Sequence, residues 1–168
     1  MNNSFDIILA VSSIEHVYPE NGGDIQALNE ISRILDKEGT LFVTLPFKNK
    51  ASNIYLEGEV YGRNNNWKNF FAREYDDVTL RNLLKNTNYV AKEISYICEK
   101  PGFFSLDYYK YGEGKGTLKS KFFYKLKGYL EKTFNKSIDS KLAKHALFCS
   151  KNPEERLVNI ALSLKHTQ

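Results

Sequence analysis

The chain has 168 residues, 42% of them hydrophobic and 26% charged, with a formal net charge of +4 and a pI near 8.9. That length holds one domain with a substantial core rather than two ordinary ones, and the composition excludes a largely disordered chain. The mild positive charge permits anionic partners without requiring them, and nucleic acid is not the expected one.

Two cysteines, Cys98 and Cys149, stand far apart in apolar sequence surroundings. They suit small buried side chains in a reducing compartment rather than a disulfide framework. No Lys or Arg precedes the first apolar run, Asp6 interrupts that run, and no segment reaches the length of a membrane span. A signal peptide is therefore not expected, and a cytoplasmic location is.

Residues 5–11, FDIILAV, form a nearly continuous apolar run that predicts a strand buried on both faces, as in a parallel sheet covered by helices. It ends in Ser12-Ser13 and runs into Ile14-Glu15-His16-Val17, a polar pair where a parallel strand would open into a site. Asn21-Gly22-Gly23-Asp24 is turn chemistry, with Asp24 the expected N-cap. Ile25, Leu28, Ile31, Ile34 and Leu35 then recur at helical spacing, and Gly39 is the expected stop. TLFVTLPF, residues 40–47, predicts a second buried strand ended by Pro46. Strand, helix and strand with short links make the right-handed crossover unit of an α/β fold.

Residues 48–72 are polar and read as an irregular loop carrying Trp67, Phe70 and Phe71, either as a lid or as a hydrophobic anchor. Asp76 caps a predicted helix bearing Val78, Leu80, Leu83 and Leu84. YVAKEISYICE, residues 89–99, alternates and predicts a strand nearer a sheet edge. Residues 108–136 read as a basic amphipathic insertion within a single domain spanning 1–168. Leu118, Phe122, Phe123, Leu126, Tyr129, Leu130 and Phe134 share one helical face, with lysines on the other. Such a helix over 118–134 suits an anionic membrane surface, a lipid-linked sugar or nucleic acid, while packing on the sheet with a solvated lysine face is the favoured reading. HALFCSK, residues 145–151, predicts one more strand. Asn152-Pro153-Glu154-Glu155 carries the cap, proline and acids of a helix start, predicting a final helix to about Lys165.

In this order the elements resemble the C-terminal half of class I S-adenosylmethionine-dependent methyltransferases, especially the group called type 11. The resemblance rests on Phe5-Asp6 with its apolar run and Glu15-His16-Val17, and on Glu30, Ile31, Arg33, Leu35 and Gly39. Pro46-Phe47 and Arg73-x-Tyr75 extend it, and residues 145–151 match the family's last strand. It implies an α/β fold: a partial Rossmann-like sheet of about four strands, mostly parallel with one antiparallel, in three layers flanked by helices. The family's glycine-rich cofactor turn, which needs close backbone approach, has no counterpart ahead of residue 5. Gly112, Gly114 and Gly116 have its spacing, but SLDYYKY before them makes a poor buried strand.

The resemblance implies S-adenosylmethionine as cofactor, with Ser12 and Ser13 beside it. His16 would take a proton from the acceptor, with Glu15 holding the turn or pairing with a cation. Arg73, Tyr75, Phe47 and Trp67 would shape the pocket of a small-molecule acceptor such as a saccharide or a lipid-linked compound. The plainer readings are a histidine hydrogen-bonded under its loop and a packed helix entry. No metal-ligand spacing is present among His16, His145 and His166. The rival expectation is a non-catalytic module acting through self-association or a partner chain at the 5–11 strand, which lacks a neighbour on one side.

Overall fold

A computed structural model describes residues 3–64, 68–100, 147–153 and 157–167, with Phe122, Lys125, Leu126, Tyr129 and Lys132 from the segment between. The chain divides into two compact units, residues 1–97 with 150–168, and residues 98–149. In chain order the strands are β1 (Phe5–Val11), β2 (Leu35–Pro46), β3 (Ser52–Glu57), β4 (Lys68–Glu74), β5 (Tyr89–Glu99), β6 (Leu147–Ser150) and β7 (Leu157–His166). The helices are α1 (Gly23–Ile34) and α2 (Asp77–Lys85), and a 3₁₀ turn spans Ile14–His16. The fold is α/β: a mixed five-stranded sheet ordered β1-β2-β7-β5-β6, and a two-stranded sheet of β3 and β4.

The β1–α1–β2 unit is present, and β1 pairs with β2 in parallel. Parallel pairing does not dominate as expected. β2 runs antiparallel to β7, and β3 antiparallel to β4. Two expectations fail on particular elements. The helix predicted after Pro153 is instead strand β7, because Ile160, Leu162 and Leu164 alternate and bury against Leu45, Val43 and Leu41 of β2. Residues 48–72 are not an irregular loop but carry the β3–β4 hairpin, with Tyr55 edge-on to Phe70 at 6.2 Å between ring centroids. Strand β5 lies next to the terminal strand β6, near the edge as expected.

The core occupies one face of the large sheet. Leu41, Val43, Leu45, Ile160, Leu162 and Leu164 are buried there, and Leu28 of α1, which packs on β2, joins the core. On the other face the described residues range from half-buried to exposed. In β1, Ile7 is 62% and Leu9 68% exposed, with Val11 and Phe5 exposed on the same side. Cross-strand register sets Leu9 against Phe42, itself 43% exposed, and Phe42 against Ser163. Strand β1, read as buried on both faces, is thus an edge strand with an apolar stripe facing outward.

Helix α2 forms as expected. Asp76 accepts from the Thr79 amide at 2.9 Å while the Thr79 hydroxyl accepts from the Asp76 amide at 2.8 Å, a reciprocal cap. In α1 the cap is Gly22 at φ +86° rather than Asp24. A Cβ on neighbouring Gly23 would stand 2.5 Å from the Val17 carbonyl oxygen, so only glycine lets the helix start this close to the preceding loop.

In the second unit Cys98 is buried and Cys149 exposed, so the expectation of two buried thiols holds for the first alone. The predicted 108–136 insertion falls mostly outside the described residues. Phe122, Lys125, Leu126, Tyr129 and Lys132 are helical and exposed. No helix among the described residues is long and apolar enough to cross a membrane.

Candidate functional site

The loop between β1 and α1 is the chemically richest segment. Ser12 leaves β1 at φ +45°, a left-handed conformation that costs a serine energy and is found where the surroundings impose it. Its amide is anchored to Thr44 of β2, with the side-chain oxygen 3.1 Å away. Ser13 precedes the 3₁₀ turn and stays exposed, and its carbonyl accepts from the His16 amide at 3.2 Å.

His16 is partly exposed, and its geometry fixes its tautomer. Nδ1 lies 2.7 Å from the Phe71 carbonyl oxygen, an acceptor only, so Nδ1 carries the proton. The Tyr61 hydroxyl oxygen, 3.0 Å away, shares that proton. In the neutral ring Nε2 is left with the lone pair, 3.8 Å from Glu15 Oε1. Glu15 is 1% exposed, and its Oε2 has no hydrogen-bond partner among the described residues. Burial pushes the Glu15 carboxyl above its ordinary range, opposed by a backbone hydrogen bond and by His16. The result is a base with its lone pair toward a buried carboxyl, an arrangement able to accept a proton and to stabilise the imidazolium formed.

Aromatic rings surround this imidazole. Phe71 meets it edge-on at 4.8 Å, and Tyr61 stacks on Phe71 at 5.9 Å with the planes 7° apart. Arg63 lies over the Tyr18 ring at 4.5 Å, and both Tyr18 and Tyr61 are exposed.

Arg73 holds the loop from beneath. Its guanidinium donates to the carbonyls of Glu15 (3.2 Å), Val17 (2.9 Å), Pro19 (2.5 Å) and Glu20 (3.1 Å), and Nε is 3.5 Å from Asp24 Oδ2. The same Asp24 oxygen accepts from the Tyr75 hydroxyl at 2.9 Å. Burial, then Asp24, push the Tyr75 hydroxyl well above its ordinary value, so it stays a donor. Arg73 and Tyr75 accordingly work mainly inward, as a clasp that positions residues 15–20. Both still line a cleft of about 400 Å³, together with Glu20, Asp24, Ser52 and Glu74. Carboxylates outnumber cations there, which suits a polyhydroxyl or cationic guest better than an anion.

Of the remaining expected site residues, Phe47 is buried, bridging to Tyr75 and edge-on to Tyr96 at 5.9 Å, so it is a core ring. Trp67 lies outside the described residues. The structure therefore gathers Ser12, Ser13, Glu15 and His16 in one loop, with Arg73 and Tyr75 beneath it. Sequence reasoning missed Asp24 as the acidic partner of that clasp, and Tyr61, one of two tyrosines in what read as a polar loop. No group of three or more His, Cys, Asp or Glu among the described residues is placed to hold a metal ion. No protein-family model matches the chain, and no curated protein matches it.

Proposed function

We propose that this chain is the acceptor-side half of a class I S-adenosylmethionine-dependent methyltransferase, completed by strands of a partner chain added at β1. One observation carries the reading: β1 is a parallel strand at the sheet's edge, its apolar stripe exposed, and at its C-terminal end sit the strained Ser12 and the His16–Glu15 pair. Ligands of open α/β sheets bind outside the carboxyl ends of the strands, where the sheet changes direction, and an added strand would make such a point beside Ser12. The antiparallel β7 next to β2 is compatible with the one reversed strand expected of the family's half-sheet.

In this reading the partner brings the glycine-rich turn and holds most of the cofactor, whose sulfonium supplies the methyl group. Ser12 and Ser13 close the near side of its pocket. His16 Nε2 takes the proton released by the acceptor hydroxyl, and Glu15 stabilises the resulting imidazolium. Tyr18 and Tyr61 offer faces on which a sugar ring can lie, and Arg73 keeps the loop in register.

The test is ultraviolet cross-linking of radiolabelled S-adenosylmethionine in extract from the protein's own cells. Label should appear on this chain, vanish with Leu9→Lys, and survive His16→Ala while transfer to the acceptor is lost. Absence of label from the wild-type chain, in extract and in purified form alike, would sink the reading.

A further inference from the structure

At the end of the sheet opposite the His16 loop lies a second, larger cleft of about 750 Å³, lined by Lys37, Glu38, Asn88, Lys92, Lys165, His166 and Thr167. Three ammonium groups face one carboxylate there. Lys165 Nζ donates to the Glu38 carbonyl oxygen, which fixes one ammonium at the rim. Neither Lys37 nor Lys92 forms an ion pair among the described residues. Like charges gathered in a concave wall raise each other's energy, and an anion placed among them turns that repulsion into attraction.

An independent observation concerns His166. Its ring stacks on Tyr89 at 5.5 Å, with the planes 25° apart, and Nδ1 lies 3.4 Å from the Ser32 hydroxyl. Nε2 is buried with no hydrogen-bond partner among the described residues. Buried polar atoms left unpaired are costly, so an orphan in a cleft wall marks a place where a bound group completes the bonding. Nε2 donates in the imidazolium and in one neutral tautomer, and in either form it calls for an acceptor.

We propose that this cleft binds a phosphoryl group, held by Lys37, Lys92 and Lys165 with His166 Nε2 donating to one of its oxygens. The volume exceeds that of a lone phosphate, so the group belongs to a larger molecule, either a soluble phosphoester or a lipid headgroup. The site shares no residue with the His16 loop or the Arg73 clasp and does not depend on the methyl-transfer reading.

Calorimetric titration with inorganic pyrophosphate tests it on wild type, Lys92→Glu, His166→Phe and a control, Lys85→Glu, which lies on α2 outside the cleft. Circular dichroism checks that each variant is folded. Wild type and control should bind saturably and more weakly as salt is raised. Lys92→Glu should weaken binding by about tenfold or more, reversing one of three cationic contacts, and His166→Phe, which keeps the stack on Tyr89, by a smaller factor. No saturable binding by wild type, or equal loss in Lys85→Glu and Lys92→Glu, overturns the site. Flotation with phosphatidylcholine vesicles carrying phosphatidic acid separates the sources. Retention that Lys92→Glu abolishes assigns a lipid headgroup, and pyrophosphate binding without retention assigns a soluble ligand.

Discussion

Two neighbouring regions of this protein solve opposite problems. Around Arg73, polar groups are buried and nearly all are paired: one guanidinium meets four carbonyls and Asp24, and Asp24 in turn takes the Tyr75 hydroxyl. Along β1, apolar groups are exposed and unmatched, with Ile7, Leu9 and Val11 facing outward beside Phe42. A buried charge is tolerated only when fully bonded, so the Arg73 region is complete within this chain. An apolar stripe on an open strand edge is a surface on which a further strand can settle, and the proposed function takes β1 to be covered in this way. The two meet in the loop from Ser12 to Glu20, which the first region holds rigid and the second leaves open on one side.

The largest effect should come from breaking the clasp. Arg73→Met leaves Asp24 buried without its cation and four carbonyls short of a donor, and should cost about 3–5 kcal/mol in denaturant unfolding. A loss below 1 kcal/mol would mean the loop holds itself. Next, Gly23→Ala forces a methyl against the Val17 carbonyl and should cost about 1–3 kcal/mol in the same assay.

Glu15 sharpens the contrast, since its buried Oε2 has no hydrogen-bond partner among the described residues. Its folded-state pKa is raised, so the stability it contributes is present below its ordinary value of 4.5 and is lost as pH rises through the folded value. Glu15→Gln should therefore unfold at higher denaturant than wild type at pH 7, by about 1 kcal/mol, with the advantage disappearing near pH 4. Asp76 runs the other way. Bonds from the amides of Thr79 and Ala51 hold it at about 2 against an ordinary 3.8. Its contribution is present above 3.8 and is lost as pH falls through about 2, so Asp76→Asn should flatten the acid limb of a thermal-melting profile.

The smallest effect on stability should come from β1. Leu9→Lys alters a side chain already in water and should move unfolding by no more than about 0.5 kcal/mol, while removing the tendency to associate.

Much of the architecture was legible where sequence pattern and tertiary environment agree. Asp76 with Thr79, the α1 apolar stripe and the runs of β1 and β2 all read locally. Strand β7 did not. Leu157, Ile160, Ala161 and Leu164 fit a helical repeat as well as Ile160, Leu162 and Leu164 fit a strand, and Asn152-Pro153-Glu154-Glu155 tipped the balance. Pairing with β2, a contact across more than a hundred residues, decided it. Glu15 and His16 stood out because they follow an apolar run. Arg73 was visible as a residue and not as a clasp, since its partners are backbone carbonyls that no side-chain pattern encodes. Asp24 was read as a helix cap because that is the commoner use of such a residue, whereas Gly22 at positive φ took the cap and freed its carboxylate for Arg73 and Tyr75.

Sedimentation equilibrium of purified residues 1–168, wild type beside Leu9→Lys, tests most directly whether β1 is an edge built to be covered. On the proposed reading, wild type alone should associate with itself over the micromolar range while Leu9→Lys stays a monomer of unchanged stability. A wild-type chain that remains a soluble monodisperse monomer across that range, indistinguishable from the variant, would contradict it.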